Sequence, residues 1–173
     1  MTHLNTQRLL LRNLSHQDLP ILFAIRSNSA CAKYQRWDDT SMGAISALIT
    51  AHEADLFPSY AGEQRYAVSL PCGRCIGDLT IFYNEEDRCF TLGITIAPEQ
   101  QRKGYAHEIL SAVISALHNF APKEELVALI HPENNASKTL FRKLGFVFEC
   151  YAQSIDSDIY SITVKEGNRN NDD

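Results

Sequence analysis

The hydrophobic positions along this chain change period several times, and each change marks an element. Residues 6–13 (TQRLLLRN) read as a first strand. Ser15 to Asp18 has the S-x-x-D form of a capping box. Leu19, Leu22, Phe23 and Arg26 then recur at helical spacing, which predicts a first helix ending near Ser27. Residues 28–39 show no period. Asp39 or Thr40 caps a second helix over roughly 41–56, with Met42, Ile45, Leu48 and Ile49 on one side and Pro58 beyond its end.

The pattern then shortens. Residues 65–70, 75–83 and 88–96 read as three strands with short connections, which predicts an antiparallel meander. Ile109, Leu110, Val113, Ile114, Leu117 and Phe120 predict a third helix that Pro122 ends. The buried run 126–130 follows it, and the intervening helix lets it lie parallel to the preceding strand. Asn134-Asn135-Ala136-Ser137 opens a fourth helix with Leu140, Phe141 and Leu144 inward and Gly145 at its C-terminus. Two final strands, 146–151 and 158–164, pair antiparallel. The order β-α-α-β-β-β-α-β-α-β-β predicts a mixed α/β fold.

Length fits one domain, taken as 1–165, followed by a polar tail, 166–173. With a net charge of −5 and no basic stretch, nothing points to a nucleic-acid partner. No apolar run approaches the ~20 residues of a membrane span. The N-terminus sets Arg8 and Arg12 around too few apolar residues for a secretory signal, so a cytoplasmic location is expected. Five cysteines, an odd number, fit reduced thiols. Cys72-Gly73-Arg74-Cys75 is a lone CxxC following Pro71 between two strand-like runs. It reads as a hairpin turn, and no second pair completes a metal site.

The stretch 94–106, ITIAPEQQRKGYA, is where chemistry concentrates. A strand runs through a glycine-bearing loop into a helix N-terminus, where free backbone N–H groups and the helix dipole favour an anion. Gly104 is not followed by Lys-Ser or Lys-Thr, so the loop is no Walker A. It holds one glycine, so it is no dinucleotide fingerprint. Gly104 permits close approach or a positive φ, Ala106 is small, and Arg102 and Lys103 add positive charge.

QRKGYA resembles the [RQ]-x-x-G-x-[GA] loop of the GNAT superfamily of acetyl-CoA-dependent N-acetyltransferases. Asn134-Asn135-Ala136-Ser137 with Leu144-Gly145-Phe146 is similar to that family's N-x-A-S…LGF segment. The opening TQRLLLRNLSHQDL and the later Asp158-Ile159-Tyr160 resemble the branch that acetylates ribosomal-protein N-termini. The resemblance implies a sheet with a V-shaped splay between its fourth and fifth strands, flanked by four helices. It implies acetyl-CoA as co-substrate, with no metal. The backbone of Ile94 and Ile96 would pair with the pantetheine arm, and Gln101, Arg102, Lys103, Gly104, Tyr105 and Ala106 would take the pyrophosphate. Asn134 would bond the pantetheine side, Ser137 is the candidate general acid for the leaving thiolate, and Trp37 is an acceptor-side candidate.

The chain departs from that branch at one point. The branch's E-[IL]-G-Y is here Thr91-Leu92-Gly93-Ile94, so no carboxylate stands at Thr91. Either a water chain takes the proton, or another group does, with Asp78, Glu149 and His131 as the candidates, or the substrate differs from the branch's usual one. The expected acceptor is a primary amine, foremost a protein N-terminal α-amine. A small amine such as a polyamine or aminoglycoside is the second reading, and a CoA-binding protein with little transfer activity is the third. The sequence leaves the acceptor and the choice between monomer and homodimer open.

Overall fold

A computed structural model describes residues 1–162. The predicted tail, 166–173, and the last two residues of the expected final strand lie outside the described residues.

Of the first strand expected over 6–13 only β2 (Leu10–Asn13) forms, and a further strand, β1 (Thr2–Asn5), precedes it. They form an antiparallel hairpin around a polar turn. In that turn the Thr6 hydroxyl accepts from the Leu9 N–H at 3.0 Å. Asp18 accepts from the Ser15 N–H at 2.9 Å, and one 3-10 turn leads into α1 (Leu19–Ser27). A further helical turn, α2 (Ser29–Ala32), was not foreseen. Asn28 caps it, its side chain accepting from the Ala30 and Cys31 N–H groups. Helix α3 (Met42–His52) stops short of the expected end. Beyond it, Asp55 accepts from both His52 Nδ1 and the Arg65 N–H, which ties this stretch to the sheet instead of a further helical turn.

The strands β3 (Glu63–Ser69), β4 (Cys75–Asn84) and β5 (Cys89–Ile96) form the meander. The CxxC segment is its first turn, where the Gly73 N–H donates to the Leu70 carbonyl. Helix α4 (Tyr105–Phe120) crosses to β6 (Glu125–Ile130), which is parallel to β5. Helix α5 (Asn135–Lys143) ends in a Schellman arrangement. Phe146 N–H donates to the Phe141 carbonyl and Gly145 N–H to that of Arg142, with Gly145 at φ 94°. The last strands are β7 (Val147–Ala152) and β8 (Ser157–Ile162).

The eight strands form one sheet in the order β1-β2-β3-β4-β5-β6-β8-β7. Among the described residues, only the β5–β6 contact is parallel. Alternation along the strands gives each face its own core. Leu79, Ile81, Phe90, Leu92, Leu126 and Ala128 pack with the inward side of α4. Leu14, Leu22, Ile45, Ile49 and Ala67 form a second cluster beneath α1 and α3. Phe120, expected inside, is 39% exposed and lies against Tyr60 at 4.8 Å.

Candidate active site

Strands β5 and β6 pair only at Cys89↔Glu125, Phe90↔Leu126 and Thr91↔Val127. Beyond Thr91 they part, and the backbone of the rest of β5 faces an opening. The opening is a cleft of about 1120 Å³. A drug-sized ligand fills roughly 300–1,000 Å³, so this space suits a long one.

The loop at the wide end of the cleft is shaped by its own side chains. Gln101 folds back and donates through Nε2 to the Ile96 carbonyl at 2.9 Å, closing the turn that leaves β5. Arg102 (φ 60°) and Gly104 (φ 81°) both adopt the left-handed region, which only glycine enters without steric cost. Gly104 is the N-cap of α4 and has no side chain to cap it. The first-turn N–H groups, Tyr105 to His107, therefore have no acceptor within the helix, and the positive end of the dipole lies with them.

The opposite wall is the start of α5. Asn134 Oδ1 accepts from the Ser137 N–H at 3.1 Å, so Asn134 caps the helix. Ser137 is half-buried in the cleft wall, and its hydroxyl has no protein partner among the described residues.

Ile94, Ile96, Gln101, Arg102, Gly104, Tyr105, Ala106, Asn134 and Ser137 all line this cleft. Lys103, in the same loop, and Trp37, the acceptor-side candidate, are not among the lining residues. Lys103 Nζ donates to Gln100 Oε1 at 2.9 Å. Trp37 packs on the Ile25–Cys31–Ala97 cluster, with the Arg26 guanidinium 5.2 Å from its ring. Arg8 and Tyr34 also line the cleft, although spacing in the sequence gave no sign of Arg8. Its partner is Glu108, 100 residues along the chain.

Thr91 stands at the vertex of the splay. Its neighbours Phe90 and Leu92 point into the α4 core, so Thr91 faces the other side of the sheet. Of the carboxylates and imidazole considered as bases, Asp78 is buried between Arg26 and Arg65, 3.6 Å from each. Burial pushes its carboxyl up while both guanidiniums pull it down, and an amine cannot reach it. His131 Nδ1 accepts from the Glu133 N–H at 3.1 Å, which puts the neutral ring's proton on Nε2, 3.7 Å from Asp156. No lone pair is left for a base. Glu149 accepts from the Ser161 hydroxyl at 2.9 Å. Ser161 pairs with Val127, which pairs with Thr91, so it is two strand spacings, roughly 10 Å, from the vertex.

Cys75 is buried, and desolvation pushes its thiol up to about 12. Among the described residues, no group of three or more His, Cys, Asp or Glu is arranged to hold a metal ion. Nor is any described helix long and apolar enough to cross a membrane.

The family model for the acetyltransferase (GNAT) domain matches residues 8–147. The chain belongs to the GNAT acetyltransferase family. A relative from Bacillus subtilis (strain 168), the uncharacterized N-acetyltransferase YoaA, is 28% identical over 172 residues, which span 92% of this GNAT chain and 95% of the relative. Among solved structures, the ribosomal L7/L12 α-N-protein acetyltransferase RimL, in complex with coenzyme A, superposes with a TM-score of 0.80. It is 15% identical, covering 94% of this chain and 98% of its own. Spermidine N-acetyltransferase from Vibrio cholerae, in complex with CoA and spermine, gives 0.72 at 22% identity, covering 88% and 92%. At these identities the superpositions speak for the fold. The GNAT sheet with its β5–β6 splay and α/β order is the architecture expected from the sequence, with one helix and one strand more among the described residues.

Proposed function

We propose that this GNAT chain transfers the acetyl group of acetyl-CoA to the α-amine of a protein N-terminus. The observation that carries the choice of acceptor is Thr91 at the vertex of the splay. No carboxylate stands at that position, and none of the other groups considered as bases touches it. An α-amine, with a pKa of ~7.7–8.0, is partly neutral near pH 7, whereas a lysine-like amine at ~10.4 is almost wholly protonated. The site therefore suits the acceptor that needs least help in losing its proton.

In this reading the donor lies along the cleft. The Tyr105–His107 N–H groups and Arg102 take the pyrophosphate. The open backbone of Ile94 and Ile96 pairs with the pantetheine arm as an added strand. Asn134, already the cap of α5, offers its remaining amide polarity to the same arm. The amine nitrogen attacks the thioester carbonyl, the C–S bond breaks, and Ser137 Oγ–H protonates the departing thiolate. The proton lost by the amine passes to water. Both cleft walls come from one chain, so the donor site needs no second copy. Thiols left free at Cys31, Cys72, Cys75, Cys89 and Cys150 fit a reducing cytoplasm.

Thiol release from acetyl-CoA, measured against N-terminal peptides, spermine and an aminoglycoside, tests the reading. Release with peptides and little with the small amines is expected. Release with spermine alone would move the assignment to small amines. Acetyl-CoA binding with no release on any acceptor would refute transferase activity for this site.

A further inference from the structure

This inference rests on the donor site just proposed and extends it to the β1–β2 hairpin. We propose that Arg8 belongs to the donor site and supplies a side-chain charge to a phosphate group of the acyl donor.

The hairpin turn is wrapped around the first turn of α4. Glu108 Oε1 accepts from the Thr6 hydroxyl at 2.6 Å and from the Arg8 N–H at 2.8 Å, and its Oε2 accepts from Arg8 Nε at 2.7 Å. Arg8 Nη1 donates to the Lys103 carbonyl at 3.0 Å. The guanidinium lies 4.9 Å from the centre of the Tyr105 ring. Its Nη2 lies against Gly104, 3.4 Å from where a Cβ would stand. Every donor of this guanidinium except those on Nη2 and the second hydrogen of Nη1 is engaged, and the residue lines the cleft.

This arrangement does two things. The three fixed contacts hold the guanidinium plane still, so little side-chain entropy remains to be lost when a ligand binds. The remaining N–H groups border the loop whose free backbone amides already favour an anion. Of the loop's own cations, Lys103 turns its ammonium to Gln100, which leaves Arg102 and the fixed Arg8 beside those amides. An arginine held by a carboxylate on one side and open on the other suits a phosphate oxygen.

The test compares wild type with Arg8→Gln and Arg8→Lys, using calorimetric binding of CoA and of dephospho-CoA, which lacks the ribose 3′-phosphate, at low and high salt. Far-UV circular dichroism checks that the variants fold. Arg8→Gln is expected to weaken CoA binding by about ten- to a hundredfold, the range of a hydrogen bond to a charged group. It is also expected to flatten the salt dependence of binding, because a screened charge contact is lost. Arg8→Lys recovers part of both. If dephospho-CoA is affected as much as CoA, the phosphate is the pyrophosphate. If wild type prefers CoA and Arg8→Gln loses that preference, it is the 3′-phosphate. Equal affinity of wild type and Arg8→Gln would overturn the proposal, as would weakened binding with an unchanged salt slope, which marks a loop brace only. Failure of wild type to bind CoA at all would instead remove the donor site itself.

Discussion

Gly77 of β4 pairs with Ile96, the last residue of β5 before the loop. A Cβ at Gly77 would stand 2.1 Å from the Thr95 carbonyl oxygen and 3.0 Å from Ile96 Cα, both backbone atoms. Since real Cβ atoms essentially never come closer than 3.0 Å, Gly77→Ala must push β5 aside by about 0.9 Å. Overpacking of this kind costs about 1–3 kcal/mol. Gly93 is the matched control on β5 itself, with its nearest neighbour, Thr80 Cβ, at 3.9 Å. There alanine fits, and relief of backbone entropy should stabilise by roughly 0.5–1 kcal/mol. The two variants are therefore expected to differ by about 1.5–4 kcal/mol. With a urea m-value of about 2 kcal/mol/M, their unfolding midpoints separate by roughly 0.8–2 M. Fluorescence of the single tryptophan, Trp37, checked against circular dichroism, reports the transition. Midpoints that coincide would refute the claim that the β4–β5 backbone approach requires glycine at 77.

Three further outcomes are expected. Ser137→Ala should lower turnover about tenfold or more while leaving CoA affinity within twofold, as follows from the proposal that the hydroxyl protonates the leaving sulfur. An equal loss in both would make Ser137 structural. A thiol reagent at pH 8 should modify Cys72 and Cys150 quickly and the buried Cys31, Cys75 and Cys89 only on unfolding, and rapid labelling of Cys75 would contradict its burial. Burial pushes the Glu108 carboxyl up, but hydrogen bonds from Thr6 and Arg8 outweigh it and leave its pKa below the ordinary value. A carboxyl depressed by folding contributes stability above its unfolded pKa of ~4.3 and loses it as pH falls through the folded pKa. Glu108→Gln should thus be less stable than wild type at pH 7 and approach it below pH ~4; a gap independent of pH would rule out the ionised carboxylate as its source.

Strand and helix type followed from local pattern, since the inward residues of α4 and the alternation in β3 to β5 carry strong periods. The strand order did not. Placing β8 between β6 and β7 depends on which edges meet, and periodicity carries no such information. The turn α2 is too short to show a period, although Asn28 is a recognisable cap once the helix is known. The strand expected over 6–13 runs on through the hairpin turn because Thr6 to Arg8 has no glycine or proline to mark it. The carboxylate that stabilises it sits on α4. The candidate cleft was legible to the extent that it is made of contiguous segments. Gly104 and its loop, and Asn134 with Ser137, are local signatures. Arg8 is a contact between distant parts of the chain, and so is the packing of Trp37 against Ala97 and its neighbours.

The parting of β5 from β6 also bears on how the chain survives in a cell. Past Thr91 the sheet keeps an unpaired edge inside the molecule, a seam that an extended ligand can close. Whatever fills it becomes part of the fold's own free-energy balance. At a hundredfold excess over its dissociation constant, such a ligand adds about 2.7 kcal/mol to the resistance against unfolding. Protein abundance would then follow the supply of that ligand, so a fall in the metabolite would thin out the catalyst as well as starve it.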